Sequence, residues 1–344
     1  MLQTVDRVLD VAREFVERGW DRGIAVAVLR DGACVVDAVT GTDLDGCPLD
    51  TGTRFLWFSA SKPLTAFCVV MLADRGLLGY DDPLVRWIPE IGGGERARIT
   101  VDHLLTHRAG IPDFFCTGVT VEDWYDWDRA VRLTAALPLE YAPGSQTAYH
   151  ALSFGLLGEL VRRVDGRPFA RFFAEEVARP LGLDTVTWGL PDRSVPYTRT
   201  GVEGQAEAAN VHRFQTGAAL DAVVPAGNAW GTARDLARFH QMLGDGGEGL
   251  VSPHSAAEMV RARVDGHQGM LGRGVEVGRR PGGCTGDLAG PRVFGHPGIR
   301  STVGWHDPDT GVSCAILCNG TPGPEEGERR LSAISDAVIT ATRA

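Results

Sequence analysis

The sequence contains almost no lysine. Of its 34 basic residues, 33 are arginine and one, Lys62, is lysine. Acidic residues number 44, which gives a formal net charge of −10, and this excess argues against nucleic acid or an anionic membrane surface as a partner. Arginine supplies positive charge but keeps its proton, whereas a lysine ammonium can release it. The single lysine is therefore a candidate for proton-transfer chemistry.

Disulfide and metal-binding patterns are also missing. Seven cysteines are scattered along the chain: Cys34, Cys47, Cys68, Cys116, Cys284, Cys314 and Cys318. Their odd number and the lack of a Cys-x-x-Cys pair predict free thiols rather than a disulfide framework or a zinc site. His103 and His107 have the i, i+4 spacing of zinc ligands, but Leu104 stands where a zinc-dependent protease has glutamate, which favours a structural role. We expect no metal ion.

Further absences narrow the class of protein. No stretch approaches the roughly 18 unbroken apolar residues of a transmembrane helix, so no membrane partner is expected. Neither a P-loop nor a G-x-G-x-x-G turn in a strand–helix context occurs, so no nucleotide cofactor is expected. The absence of G-x-S-x-G disfavours an α/β-hydrolase. Residues 1–16 have an amphipathic helical pattern instead of the apolar core of a secretory signal, which predicts a cytoplasmic location.

The order of strand and helix patterns predicts an α+β fold. Residues 23–30 and 34–40 read as a strand hairpin around an Asp-Gly turn, and strand patterns return between residues 292 and 319. The middle of the chain has mostly short helical patterns and loops. We predict an antiparallel sheet flanked by helices, built from residues 1–60 and 228–344. Residues 61–227 form a mostly helical insertion, with the active site between the two parts.

Ser59 and Lys62 are the first candidates for chemistry. They are three residues apart at a predicted helix start, where Pro63 fits the first turn. Residues i and i+3 of a helix share a face, so the hydroxyl and the ammonium can meet. A serine hydroxyl is a weak nucleophile until a base takes its proton. The spacing therefore predicts a serine nucleophile with a lysine partner.

Five segments, the first of which contains Ser59 and Lys62, occur in an order that is typical of one superfamily. They are Trp57–Ala66, Asp102–Pro112, Ala142–Ala151, Pro225–Asn228 with Gly231–Arg234, and Gly295–Gly298. Together they resemble the serine β-lactamase and penicillin-binding-protein superfamily, and most closely its class C β-lactamase-like esterases and acyltransferases. The likeness extends from about residue 20 to about residue 320. It implies the β-lactamase/transpeptidase-like fold.

The resemblance also implies roles for individual residues. Ser59 would be the nucleophile, Lys62 its partner and Tyr149 the general base, and the backbone N–H groups of Ser59 and Ile299 would form the oxyanion hole. A phenol must lower its pKa by about 3 to act near neutrality, which needs about 4 kcal/mol. An ammonium about 4 Å away supplies roughly that much. The residues expected to bind substrate are His150, Trp230, His296 and Gly298.

Two departures from the family pattern bear on the substrate. The tyrosine motif usually ends in asparagine, which contacts the amide of a β-lactam, but here it ends in Ala151. The last motif usually begins with lysine, which binds the substrate carboxylate, but here it begins with His296, which is mostly neutral at pH 7. Both changes favour a small carboxylic ester over a penicillin.

The predicted reaction passes through an acyl-Ser59 intermediate. Water as the acceptor would make the protein a carboxylesterase, and a small alcohol or amine would make it an acyltransferase. A β-lactam hydrolase or a D-amino-acid peptidase of the same fold is the first alternative. A non-catalytic relative that binds an acyl ligand is the second. Two or three of seven aromatic residues are expected to line an acyl pocket: Trp57, Phe114, Phe115, Trp124, Trp127, Trp230 and Trp305.

Overall fold

The computed structural model describes residues 2–113, 117–205, 207–266 and 269–343. The helices are α1 (Leu2–Glu17), α2 (Lys62–Asp74), α3 (Val101–Leu105), α4 (Trp127–Ala136), α5 (Leu152–Asp165), α6 (Phe169–Phe173), α7 (Arg179–Leu181), α8 (Ala208–His212), α9 (Ala218–Asp221), α10 (Ala233–Gly244), α11 (Pro253–Val260) and α12 (Pro324–Arg343). The strands are β1 (Gly23–Arg30), β2 (Ala33–Gly41), β3 (Phe55–Leu56), β4 (Thr187–Trp188), β5 (Ala229–Gly231), β6 (Val264–Gly266), β7 (Gly269–Leu271), β8 (Glu276–Val277), β9 (Phe294–Gly298), β10 (Thr302–Asp307) and β11 (Val312–Cys318).

The main sheet has eight strands in the order β2-β1-β11-β10-β9-β8-β7-β6. Every neighbouring pair is antiparallel. The first two strands thus lie beside the last one, with Val26 opposite Ile316. β1 and β11 are almost fully buried on both faces, which agrees with their nearly continuous apolar sequences. The predicted antiparallel sheet flanked by helices is confirmed.

Alternate residues of the central strands enter two different cores. Ala25 and Leu317 point into the larger core, which α10 and α2 help to form. Val26 and Ile316 point into a second core under α1 and α12. This alternation follows from the two-residue period of a strand. Helices therefore cover both faces of the sheet.

The segment between the two parts of the sheet is mainly helical. Residues 62–227 contain α2 to α9, and of the described strands only β4 lies there. After α10 and α11 the sheet resumes with β6, β7 and β8, which the sequence analysis did not predict. These strands have only two or three residues each, which is too short for an alternating pattern to be recognised. No helix of the described residues is long and apolar enough to span a membrane.

Candidate active site

Ser59 lies in a 3₁₀ turn rather than at the start of α2. The turn covers Phe58–Ser61, and α2 begins at Lys62 with Pro63 in its first turn. The predicted helix therefore begins three residues later than Ser59. Phe58 has a φ of 48°, a region that side chains other than glycine rarely occupy. Such strain is frequent at functional sites, and here it immediately precedes the serine.

Three polar groups meet at the Ser59 hydroxyl. Lys62 Nζ donates a hydrogen bond to Ser59 Oγ at 2.9 Å, and Tyr149 Oη donates one at 2.8 Å. Lys62 Nζ also donates to the carbonyl oxygen of Ala226 at 2.7 Å. The structure thus brings together the serine, the lysine and the tyrosine that the sequence analysis selected. Their separations are those of direct proton transfer.

Lys62 is fully buried. Burial lowers its pKa from 10.5 to about 7, while the charge of Asp113 raises it. No described carboxylate forms an ion pair with Nζ, so desolvation is opposed only weakly. Lys62 therefore releases its proton far more readily than an exposed lysine does. A neutral amine within hydrogen-bonding distance of a hydroxyl can act as a base.

The electrostatics of Tyr149 differ from the sequence-based expectation. We expected the pKa of this phenol to fall, but desolvation raises it above its usual value of 10.0, despite the hydrogen bond to Ser59. The charges of Glu276 and Asp113 raise the pKa further. The phenol therefore stays protonated in the free protein. In the free protein, the lowered pKa of Lys62 and the raised pKa of Tyr149 make the amine the more readily deprotonated of the two groups.

The predicted oxyanion residue Ile299 lies in a strained turn after β9. Ile299 and Arg300 have φ values of 44° and 54°. Such values are unusual for residues other than glycine, and most of all for the β-branched Ile299. Gly298, which we predicted to contact substrate, is not among the residues that line the cavity described below. A Cβ at this position would lie 2.2 Å from the carbonyl oxygen of Trp57. Gly298 instead lets β9 pack directly against the chain that leads to Ser59.

A cavity of about 740 Å³ opens onto these groups. Its polar walls include Ser59, Lys62, Asp113, Tyr149, Glu276, His296, Arg300 and Glu328. Its apolar walls include Phe58, Val119, Val121, Trp124, Val211, Phe214, Leu271 and Ile299. The volume is in the range of small-molecule sites. The mixture of walls suits a substrate that has both an apolar part and a polar part.

His296 lines this cavity with a neutral imidazole ring. Its Nδ1 lies 2.7 Å from the carbonyl oxygen of Pro297, which can only accept, so Nδ1 carries the proton and Nε2 has a lone pair. Burial, with the nearby Lys62 charge, lowers the pKa of His296 to about 3. The ring therefore offers no positive charge to a substrate carboxylate at neutral pH.

Two further predicted substrate contacts lie away from the cavity. Trp230 is a buried residue of β5, paired with Leu56 and packed edge-on against Tyr197. His150 is also buried, and its Nε2 lies 2.9 Å from the hydroxyl of Tyr141. Neither residue lines the cavity. Trp230 directly precedes the Gly231–Arg234 motif and His150 directly follows Tyr149, and both side chains point into the core.

The seven aromatic residues that were candidates for an acyl pocket lie in different parts of the chain's structure or outside the described residues. Trp124 lines the main cavity, whereas Trp127 lines a small apolar pocket that shares Trp124, Ala151 and Ala226 with it. Trp57, Trp230 and Trp305 are core residues. Phe114 and Phe115, like Cys116, lie outside the described residues. Among the described residues, no group of three or more His, Cys, Asp or Glu side chains is arranged to hold a metal ion.

The sequence analysis missed several charged residues of the cavity. Glu276 lies on the unpredicted strand β8, and burial raises its pKa to about 7. Arg300 and Glu328 come from the turn after β9 and from α12. No local pattern connects these positions, so only the fold brings them together. Asp113 directly follows a motif that the sequence analysis did select, which was the one available signal.

The Beta-lactamase family model matches residues 10–339. The chain belongs to the beta-lactamase family. This agrees with the superfamily that the ordered motifs indicated, and it makes the chain a relative of serine hydrolases.

Known relatives of this beta-lactamase family member include esterases. The chain is 32% identical to "Esterase/beta-lactamase LipL" of Mycobacterium tuberculosis, over 88% of this chain and 78% of the relative. It is 29% identical to "Esterase EstB" of Burkholderia gladioli, over 81% of each protein. A solved penicillin-binding-protein homologue from Caulobacter crescentus superposes with a TM-score of 0.84 at 26% identity, covering 98% of this chain and 97% of the other. These relatives support an enzyme with serine-hydrolase esterase activity.

Proposed function

We propose that the protein hydrolyses or transfers the acyl group of a small carboxylic ester through an acyl-Ser59 intermediate. The observation that carries this proposal is that Ser59 Oγ accepts hydrogen bonds from Lys62 Nζ at 2.9 Å and from Tyr149 Oη at 2.8 Å. All three of these residues line a cavity of about 740 Å³. The names of LipL and EstB, both esterases, give independent support.

Acylation begins with neutral Lys62. Its amine takes the proton of the Ser59 hydroxyl as Oγ attacks the carbonyl carbon of the ester, and the C=O electron pair moves onto oxygen. The N–H groups of Ser59 and Ile299 stabilise this oxyanion; one such donor is typically worth about 10²–10³ in rate. A base with a pKa of about 7 suits this step, because general bases are most efficient when their pKa is near the working pH.

Expulsion of the alcohol completes acylation. The C–O bond to the leaving group breaks, and the alkoxide takes the proton of the Tyr149 hydroxyl. The ammonium of Lys62 then returns a proton to the phenolate, so both groups regain their starting forms. Water, or a small alcohol or amine, takes the place of the leaving group and reverses the sequence. The cavity has room for an acyl group together with such an acceptor.

The charge of the cavity favours an ester over a β-lactam. A β-lactam carries a carboxylate that needs a positive partner, and the pKa of about 3 keeps His296 neutral. Ala151 also lacks the amide with which family members contact a β-lactam side chain. LipL is named for both activities, and for this chain we assign the ester.

The proposal is tested by mass spectrometry of the intact protein mixed with p-nitrophenyl butyrate. We expect one added butyryl group in the wild type, cleared by water, alcohols or amines, and none in Ser59→Ala. Ser153→Ala is the matched control, because the buried Ser153 hydroxyl has no hydrogen-bond partner among the described residues. An acyl adduct that persists in Ser59→Ala would contradict the assignment of the nucleophile. No adduct in any variant would favour a non-catalytic acyl-binding protein.

A further inference from the structure

We propose that His107 is a positioning residue for Tyr149. This inference rests on the proposed function, in which the Tyr149 hydroxyl donates a proton to the leaving group. His107 follows α3 and is buried, and it does not line the cavity. It therefore acts on the reaction only through the residue that it holds.

His107 contacts three consecutive residues of the segment that carries the phenol. Its carbonyl oxygen accepts a hydrogen bond from the backbone N–H of Ala148 at 3.0 Å. Its Nδ1 accepts one from the backbone N–H of His150 at 3.0 Å. Between these bonds its ring stacks on the Tyr149 ring, with centroids 4.7 Å apart and planes inclined by 26°. We call these three contacts the His107 clamp.

The tautomer of His107 follows from the clamp. Nδ1 accepts the His150 N–H, so it carries no proton, and Nε2 is the protonated nitrogen of the neutral ring. Burial, together with the positive charges of nearby groups that include Lys62, lowers the pKa of His107 well below 6.5. The ring therefore stays neutral across the pH range in which Lys62 titrates. The clamp is a fixed element and not a pH switch.

The backbone of His107 is strained to make these contacts. Its φ is 57°, a conformation that residues other than glycine rarely adopt because the side chain then crowds the backbone. This conformation allows one residue to present both its carbonyl oxygen and its ring nitrogen to the same neighbouring segment. The strain is offset by one backbone–backbone hydrogen bond, one hydrogen bond from a backbone N–H to the ring, and one ring stack, all of them made to the Tyr149 segment.

Tyr149 needs this external support. The residue is 37% exposed, and the one hydrogen bond that the described residues give its hydroxyl is to Ser59. The Ser59 bond is lost when Oγ becomes acylated, so during the reaction the phenol must be held by other contacts. Two residues after Tyr149, the backbone N–H of Ala151 donates a hydrogen bond to Asp113 Oδ1 at 3.4 Å, and Asp113 follows His107 in the same loop. A displacement of about 1 Å can cost about 10²-fold in rate.

A double-mutant cycle tests whether His107 acts through Tyr149. We compare kcat and KM for p-nitrophenyl butyrate in wild type, Tyr149→Phe, His107→Phe and His107→Asn, and in each His107 variant combined with Tyr149→Phe. His107→Phe keeps a ring but removes the acceptor. His107→Asn removes the ring but keeps an acceptor, and asparagine tolerates a positive φ. His103→Asn, in the helix that precedes His107, is the matched control, and the melting temperature of every variant is recorded.

We expect each His107 variant to lower kcat by about 10²-fold with KM within about threefold, and His103→Asn to keep wild-type kcat. In the Tyr149→Phe background the same substitutions should lower kcat by less than about threefold, because the group that they position is gone. An equal loss in both backgrounds, or no loss in folded His107 variants, would overturn the inference. If Tyr149→Phe itself keeps wild-type kcat, the role of Tyr149 in the proposed function fails instead.

Discussion

Among the described residues, the Arg330 and Lys62 side chains are both 0% exposed, but their partners differ. Arg330, on α12, forms an ion pair with Asp21 at 2.5 Å, and both side chains are 0% exposed. The guanidinium also donates to the carbonyl oxygen of Arg300 at 2.7 Å. Lys62 is equally buried, but the partners of its amine are a hydroxyl and a carbonyl oxygen, and no carboxylate of the described part of the chain forms an ion pair with it.

The difference separates a structural charge from a functional one. A paired guanidinium in the core stays charged at every physiological pH and fixes the elements that it joins. An ammonium without an ion pair loses part of its preference for the charged form, which brings its pKa to about 7. Burying the Lys62 amine without an ion pair costs stability, but in the proposed function it supplies the base. The predictions below test this contrast, from the largest expected effect to the smallest.

The first prediction concerns Lys62→Met. We expect kcat/KM for p-nitrophenyl butyrate to fall by about 10³-fold, since the base is lost. The free energy of unfolding, measured in urea, should not fall, because a buried amine is replaced by an apolar side chain of similar length. Between pH 7 and 10.5 the unfolded wild-type chain binds the lysine proton that the folded chain releases. Wild-type stability should therefore rise with pH over this range relative to the variant.

Lys62→Arg is the control for charge alone. It keeps a cation but cannot give up its proton, so most activity should be lost here too. Activity within about threefold of the wild type would show that the charge of Lys62, and not its basicity, is what the site requires.

The second prediction concerns Arg330→Met. Removing one member of a buried ion pair leaves the Asp21 carboxylate without its partner, which typically costs about 3–5 kcal/mol. Urea unfolding should show this loss, and Asp21→Leu combined with Arg330→Met should recover part of it. The exposed pair of Arg13 and Asp10 is the comparison, where Arg13→Met should change stability by less than about 0.5 kcal/mol. A double variant no more stable than Arg330→Met would contradict the pairing argument.

The third prediction concerns the pH dependence of catalysis. Lys62 acts as a base only when neutral, so kcat/KM should rise with pH and level off above about 7. Asp113→Asn removes a negative charge that raises the pKa of Lys62, so the midpoint should move to lower pH. Initial rates between about pH 5 and 9 measure both curves. A midpoint that moves to higher pH in Asp113→Asn would refute this electrostatic account.

The smallest expected effect is the turnover of the cephalosporin nitrocefin by the wild type. His296 is neutral, and the Arg213 and Arg300 guanidinium groups on the cavity wall already face Glu122 and Glu328, so hydrolysis should be slow compared with that of p-nitrophenyl butyrate. The test is a comparison of kcat/KM for nitrocefin and for p-nitrophenyl butyrate, both measured at pH 7. Comparable values would remove the substrate argument drawn from Ala151 and His296.

The three polar residues that meet in the candidate site were predictable from sequence because they lie in ordered motifs. Ser59, Lys62 and Tyr149 occupy fixed places in those motifs, and the structure brings their polar atoms together. The central strands were also predictable, since β1 and β11 are long and continuously apolar. Both the motifs and the apolar strands can be recognised from a short stretch of sequence.

What the sequence did not reveal depends on packing between distant segments. The pKa of Tyr149 rises because of burial and of charges from other elements, which spacing alone does not report. Trp230 sits beside a motif but faces the core, because side chains alternate along the short strand β5. The clamp residue His107 was assigned only a structural role from its zinc-like spacing, since its partners lie about 40 residues further along the chain.

The single lysine has a practical consequence for chemical labelling. Apart from the amino terminus, an amine-directed reagent finds one ε-amine in this chain; that amine lines the cavity, and burial lowers its pKa to about 7. A small amine-directed reagent that enters the cavity would label Lys62, whereas a bulky one would find no lysine on the outside. Protection of that amine by a bound ligand would therefore report occupancy directly, without any reaction being followed.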